Sequence, residues 1–496
     1  MIKYFKENYR VLLISIIYGL ITYSLYFNPH YVHDSYRIYN FGFLQNLNGF
    51  CSQGRLISMY FNILFNFLNI SPKVGQMISM FLTIVFLALS CTLTYSSVIK
   101  RLQRKFKINT KNKIIILIAS ITLFFNVYIT EWMMFFESCI IALGCFLSIL
   151  GMYCLLELKG SYKKYVLSSL CFILGIFCYQ ASIALGGSIL VLLTILENKD
   201  KKLIYIIKKV LINMIPYALA LLSNFIFIKL VNMHNTNDIR LTGNIDILYN
   251  LKFSIVQINW YFINMFNFPT KYIFAIIIII TFIYYILNVI RYKQNTLQIL
   301  FILTSLFSLW FLSILPILAM PSDSIYFMSR SVPYIASLFP FLLISIYLFN
   351  NDYLKNKLLP IILIIYTIIS TLSIIKVTCE CLKNNIQDIN IAKTIQNEIN
   401  KYESTSNNTI DTIILVPDNK ISLTEKNIPY YGDNTVRAMI NDYSVVEIMY
   451  FVSKRNYSVQ IEYTDKKIEL FGNLEWDSFS IDQLKFENNT LFLVIY

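Results

Sequence analysis

Apolar stretches long enough to cross about 30 Å of hydrocarbon recur along most of residues 1–378, and no other feature restricts the fold as strongly. A segment in lipid has no water to satisfy its backbone, so it must be helical or part of a closed barrel. Runs of this length indicate helices. Hydrophobic residues make up 56% of the 496-residue chain and charged residues 14%, against about 25% charged in an ordinary soluble domain. The sequence reads as a polytopic α-helical membrane protein.

Charge then orients it. The formal net charge of +14 would by itself admit a nucleic-acid partner. Its distribution argues for the bilayer instead. Residues 379–496 hold 17 acids and 11 bases, net −6, so the chain's 28 acids and 42 bases leave 11 and 31, net +20, in residues 1–378. That excess sits in short loops between apolar segments, as the positive-inside bias requires of cytoplasmic loops. Lys3, Lys6 and Arg10 precede the apolar run Val11–Phe27, and no small-residue cleavage site follows it. We read an uncleaved first helix with a cytoplasmic N-terminus.

The next segment, His30–Arg55, is polar, aromatic and charged, and falls outside. Leu56–Ile70 is short and carries Asn62, Asn66 and Asn69. If it crossed, the basic stretch Lys100–Lys113 would also lie outside, so an interfacial amphipathic helix is expected there. Later spans are expected over Val74–Val98, Ile114–Thr130, Met133–Leu156, Lys208–Val231, Tyr272–Ile290, Leu297–Met320, Tyr334–Phe349 and Leu358–Val377. Tyr165–Leu196 is basic at both ends and is split near Tyr179–Gln180 into two short helices. A second interfacial stretch is expected over Phe253–Phe268. This gives about eleven crossings with the C-terminus outside. The expected domains are 1–378, transmembrane, and 379–496, an extracytoplasmic α/β unit with a helix over Ile386–Tyr402, a strand over Thr412–Val416, a helix over Val445–Lys454, and strands over Val459–Tyr463 and Leu491–Tyr496. The nine cysteines show no zinc spacing; a disulfide between Cys379 and Cys381 is left open.

Only eleven acids lie in residues 1–378, and this topology puts six on or near the outer side: Asp34, Glu131, Glu137, Asp238, Asp246 and Asp323. A carboxylate near a bilayer is costly and usually has a reason. One base suffices for sugar transfer from a polyprenyl phosphate, because phosphate leaves without protonation, whereas a glycosidase normally needs two carboxylates. Cations must meet the charge growing on that phosphate. Arginine suits this role, being planar and permanently charged, and the outer side offers Arg37, Arg55, Arg240 and Arg330. Asp34 is read as the base, against a cap for a helix starting at Ser35. Arg55 is read as a phosphate ligand, against an interfacial anchor. Arg330 is weighed against an ion pair with Asp323, and Arg37 against a structural pair with Asp34. Glu131 is a second catalytic candidate. His33, Glu137, Tyr179 and Gln180 complete the substrate-binding candidates, Tyr179–Gln180 standing equally as a polar hinge. No metal site is read from three histidines, and a divalent metal is left without support.

Asp34 in the first outer loop, the Gly54–Arg55 pair, the Tyr179-Gln180-Ala181-Ser182 run and Arg330 after a late outer helix resemble the bacterial O-antigen glucosyltransferase family (Gtr type II). That resemblance spans roughly residues 10–400. It implies a GT-C fold, a lipid-phosphate sugar donor, a surface glycan acceptor and a catalytic acid in the first outer loop of an inner-membrane enzyme. The family pattern leads to an acidic pair near Asp34; here its neighbour is His33. Two other functions compete. A lipid-linked oligosaccharide flippase would need polar groups deep in several crossings and gates on both faces. A polysaccharide polymerase or ligase would use a lipid-diphosphate oligosaccharide.

Overall fold

The computed structural model of the protein describes residues 8–495 except 29, 32, 106–107, 159, 161, 235–243, 265–272, 292–296, 323–324, 326–328, 350–357, 418–436, 441, 462–464, 473, 475 and 477; some side chains, among them those of His33 and Asp34, are also outside the description. The chain opens with α1 (Tyr9–Thr22), followed by the short helices α2 (His33–Phe41) and α3 (Leu47–Ser52), then α4 (Leu56–Phe67) and the long α5 (Pro72–Lys105). Next come α6 (Thr110–Phe124), the single turn α7 (Ile129–Trp132), α8 (Ser138–Glu157), α9 (Lys163–Cys178) and α10 (Ala184–Asn198). The helical layer is completed by α11 (Leu203–Asn213), α12 (Ile215–His234), α13 (Ile247–Asn264), α14 (Ile273–Arg291), α15 (Leu297–Leu318), α16 (Leu338–Phe349) and α17 (Leu358–Ser406).

Among the described residues, five helices are long and apolar enough to cross a membrane, and six if the pair α11–α12, bent by 40°, counts as one. Several expected spans are reshaped. Lys100–Lys105 is not loop but the end of α5. Lysine and arginine are good helix formers, and Arg101, 3% exposed, turns inward to Glu157 at 2.9 Å and Glu197 at 2.7 Å. Lys100 also pairs with Glu157. This cluster, buried at Arg101 and Glu157, pins the ends of α5, α8 and α10 together. The expected helix Lys208–Val231 is broken at Met214, because Pro216 has no N–H for the preceding turn and its ring crowds that turn's carbonyl. The expected break near Tyr179 is present: α9 stops at Cys178, and a 3₁₀ turn, Gln180–Ile183, leads into α10.

Small residues let these helices touch. A Cβ on Gly144 of α8 would sit 2.8 Å from the Gly175 carbonyl oxygen of α9, too close for any side chain. The buried hydroxyls of Thr83, Ser90, Thr92 and Ser120 each donate to the carbonyl four residues back in their own helix, at 2.8 Å.

Helix α17 has 49 residues, about 73 Å at 1.5 Å per residue, so it projects well past any bilayer. No break falls at Cys379. Cys379 and Cys381 are free thiols two residues apart on this one helix, where they turn to different faces. Beyond it, β1 (Thr412–Pro417), α18 (Asp442–Ser453), β2 (Ser458–Ile461), α19 (Asp465–Phe471), β3 (Leu484–Glu487) and β4 (Thr490–Ile495) build a sheet of order β2-β1-β4-β3. β1 is parallel to β2 and β4, and β3 and β4 are antiparallel. The all-apolar run of β1 has a simple cause, since both of its faces are covered. Ile413 and Leu415 pack with Ile395 and Ile399 of α17 and Val445 and Ile448 of α18, while Val416 packs with Phe471 and Trp476.

Candidate functional site

Three segments meet at one end of the helical layer: the first loop around His30, leading into α2; the break between α6 and α8; and the turn entering α16. Sequence alone put residues 133–137 inside a spanning helix. In the structure α6 ends at Phe124 and α8 starts at Ser138, with only the single turn α7 between them. The polar side chains in this gap bond to other elements or to the turn itself, which offsets the loss of helical hydrogen bonds. Asn126 accepts from the Tyr128 N–H at 3.0 Å and donates to the Ser337 hydroxyl at 3.1 Å, while Tyr23 donates to the Asn126 carbonyl at 2.9 Å.

Glu131, with 0% exposure, anchors the third segment. One carboxylate oxygen accepts the Arg330 backbone N–H at 2.6 Å, and the other accepts from the Arg330 guanidinium at 3.1 Å. Trp132 donates its indole N–H to the Arg330 carbonyl at 3.2 Å, and the guanidinium lies 4.8 Å from the Phe135 ring centre. Arg330 is therefore held from three sides. Its observed partner is Glu131; Asp323, weighed from sequence, lies outside the described residues.

The first loop closes over this floor. His30 is fully buried, its ring nitrogens 2.9 Å from the Asn28 carbonyl and 3.1 Å from the Met133 carbonyl, and Gln76 donates to the His30 carbonyl at 2.8 Å. Burial pushes the imidazole pKa below its usual value, against the carbonyls, which favour the charged form. Ser35 donates to the Met134 carbonyl at 3.4 Å, setting the start of α2 against the break. The backbones of His33 and Asp34 form the first turn of α2; their side chains are outside the described set, as are Asp238 and Arg240.

A second corner forms at the Gln53-Gly54-Arg55 turn between α3 and α4. Gly54 has φ +73°, and a Cβ there would lie 2.7 Å from the Asn224 amide nitrogen, so glycine is needed on both counts. Gln180 donates to the Gln53 carbonyl at 2.5 Å, and Asn224 of α12 donates to the Gly54 carbonyl at 3.1 Å. The Arg55 guanidinium stacks 4.6 Å over the Tyr179 ring centre. Its Nε is buried with no hydrogen-bond partner, and among the described residues no carboxylate pairs with Arg55. Arg55 and the Tyr179–Gln180 pair, chosen separately from sequence, thus stand together. Tyr334 links this corner to the first, donating to the Ser182 carbonyl at 3.2 Å and presenting its ring to Trp132 at 6.2 Å.

Two candidates sit apart. Arg37 is exposed on α2, facing Glu447 of α18, whose carboxyl burial raises above its usual range despite Asn40 and the Arg37 charge. Glu137 is 7% exposed, immediately before α8. Sequence reasoning missed His30, Gln76, Asn126, Trp132 and Tyr334. Asn126 alone left a trace, as a polar residue inside an apolar run. Among the described residues no three His, Cys, Asp or Glu side chains gather as metal ligands would.

Long apolar helices, with polar and arginine-bearing corners at one end of the bundle, define a membrane-embedded protein. The sequence model of the family described as Glucosyl transferase GtrII matches residues 23–347, about two thirds of the chain, and the protein belongs to that glucosyltransferase family. The match takes in both corners, from Arg55 to Arg330. No curated protein and no solved structure matches the chain.

Proposed function

We propose that the protein is an inverting hexosyltransferase that moves glucose from a polyprenyl-phosphate donor to a surface glycan, such as O-antigen, on the outer face of the cytoplasmic membrane. The observation that carries this reading is the convergence of the first loop, the Glu131–Arg330 pair and the Arg55–Tyr179 stack within the stretch matched by the glucosyltransferase family. Asp34 takes the proton of the acceptor hydroxyl. The acceptor oxygen forms its bond to the anomeric carbon as the bond from that carbon to the phosphate oxygen breaks on the opposite face. Polyprenyl phosphate leaves with the electron pair. Arg55 meets that charge, because among the described residues its guanidinium has no carboxylate partner and it lies flat on Tyr179. Arg330 adds to the field but is largely offset by Glu131, whose part is to position Arg330 and its turn. Arg37 faces Glu447 and serves the rim, with His33, Glu137 and Gln180 lining the approach.

The test is transfer by purified protein reconstituted with polyprenyl-phosphate glucose and the glycan, where no flipping step is needed. Asp34→Asn abolishes transfer while donor binding persists. Near-normal turnover in that variant removes Asp34 from the mechanism, and retention of the donor's anomeric configuration overturns the inverting chemistry.

A further inference from the structure

The end of the molecule away from Arg55 carries a second apolar feature. A groove of about 580 Å³ opens between α9 and the elbow of α11 and α12, lined by Tyr165, Val166, Leu170, Ile212, Ile215 and Leu219. Val166, Leu170, Ile215 and Leu219 are between 43% and 53% exposed, so this is an open wall that would face lipid tails. The elbow exists because Pro216 cannot continue α11, and the bend leaves room against α9 that straight helices would fill. Tyr165 donates to Asn213 at 3.4 Å, and Asn213 donates to Thr194 at 3.0 Å, so the groove's floor is tied to α10.

One rim of the groove is basic. Lys163 and Lys164 immediately precede Tyr165 and Val166, and the Lys164 ammonium lies 5.4 Å from the Tyr165 ring centre. Lys208 and Lys209 lie one helical turn before Ile212 and share its face. None of these four forms an ion pair among the described residues. Glu157 and Glu197, at the ends of α8 and α10, are paired with Lys100 and Arg101, and Asp200 follows in the turn after α10. The 16 residues of α9, about 24 Å of helix, separate this rim from Tyr179.

We propose that this groove seats an acyl chain of an anionic phospholipid, with the headgroup phosphate among Lys163, Lys164, Lys208 and Lys209. An ammonium cluster next to an apolar slot matches a phosphate carried on a hydrocarbon chain, and the site lies on the side that the positive-inside bias assigns to the cytoplasmic leaflet. It is a site separate from the transfer chemistry.

The experiment uses full-length protein in detergent, titrated with phosphatidylglycerol, phosphatidylcholine or a polyprenyl phosphate and followed by native mass spectrometry and thermal unfolding. Phosphatidylglycerol is expected to stay bound and raise the melting temperature, and phosphatidylcholine is not. Changing all four lysines to glutamine weakens retention, about fivefold for each lysine removed. Ser169→Trp, which fills the groove with the lysines intact, also expels the lipid. Equal retention of the two lipids, or unchanged retention in the four-lysine variant, overturns the proposal. So does preferential retention of a polyprenyl phosphate over phosphatidylglycerol.

Discussion

The two members of the Glu131–Arg330 pair do not stand in equal surroundings. Glu131 is fully buried, whereas Arg330 keeps 18% of its side chain in contact with solvent. Removing the guanidinium leaves Glu131 buried without its cation, at a cost of about 3–5 kcal/mol. Removing the carboxylate leaves an arginine that can turn to water, which costs less. Arg330→Met is therefore expected to lower the melting temperature more than Glu131→Gln, and the double variant to recover part of the loss; equal shifts in the two single variants would mean that burial is not what sets the energy. His30 gives a pH dependence of definite sign. Its folded pKa lies below the usual 6.5, so the unfolded chain binds a proton that the folded chain refuses. The stability His30 contributes is complete above 6.5 and is lost as pH falls toward the lower folded value. Melting temperatures between about pH 7.5 and pH 5.5 should fall, and a His30→Gln variant should flatten that part of the profile.

At the scale of elements, the contact between α2 and α18 joins the two ends of the chain. Phe451 of α18 packs on Tyr31, Tyr36 and Tyr39 at 5.1–5.6 Å, Asn40 donates to the Glu447 carbonyl at 2.8 Å, and Asn385 of α17 holds the Tyr31 carbonyl at 2.8 Å and the Tyr36 hydroxyl at 3.0 Å. A nine-residue helix is too short to persist alone in water, so α2 depends on these neighbours. Phe451→Ala should cost about 2 kcal/mol, below the range for a fully buried phenylalanine because this ring is half-buried. Amide hydrogen exchange over residues 33–41 should quicken, and exchange unchanged there would mean that the helical layer holds α2 by itself. Much of this level was legible in sequence. The split at Tyr179, the length of α15 and the strand Thr412–Val416 follow from charge and hydropathy. The turn between Thr130 and Met133 was expected, but its full extent, 125–137, was not, because Trp132–Phe136 is as apolar as a spanning helix and distant partners, Arg330 and Ser337, make a largely open chain stable there.

At the scale of the whole molecule, the charge split of +20 and −6 between residues 1–378 and 379–496 is the strongest argument for orientation. The Arg101 cluster and the proposed lipid site lie at the basic end, and the two polar corners lie at the other. Cys379 is the one exposed thiol among the nine cysteines, and it sits where α17 runs on past its apolar half. A membrane-impermeant maleimide should label it in intact spheroplasts, and labelling only after lysis would place the C-terminal sheet in the cytosol and reverse the topology.

Hydropathy and charge, which are local sums along the chain, were enough to establish a helical membrane protein and its basic loops and to single out a few candidates for sugar-transfer chemistry. Which of those residues meet was settled by packing alone. Arg55 reaches Tyr179 across 124 positions and Glu131 reaches Arg330 across 199, pairings that arise because small residues draw α8 and α9 together and because a buried carboxylate must find a cation wherever the fold provides one.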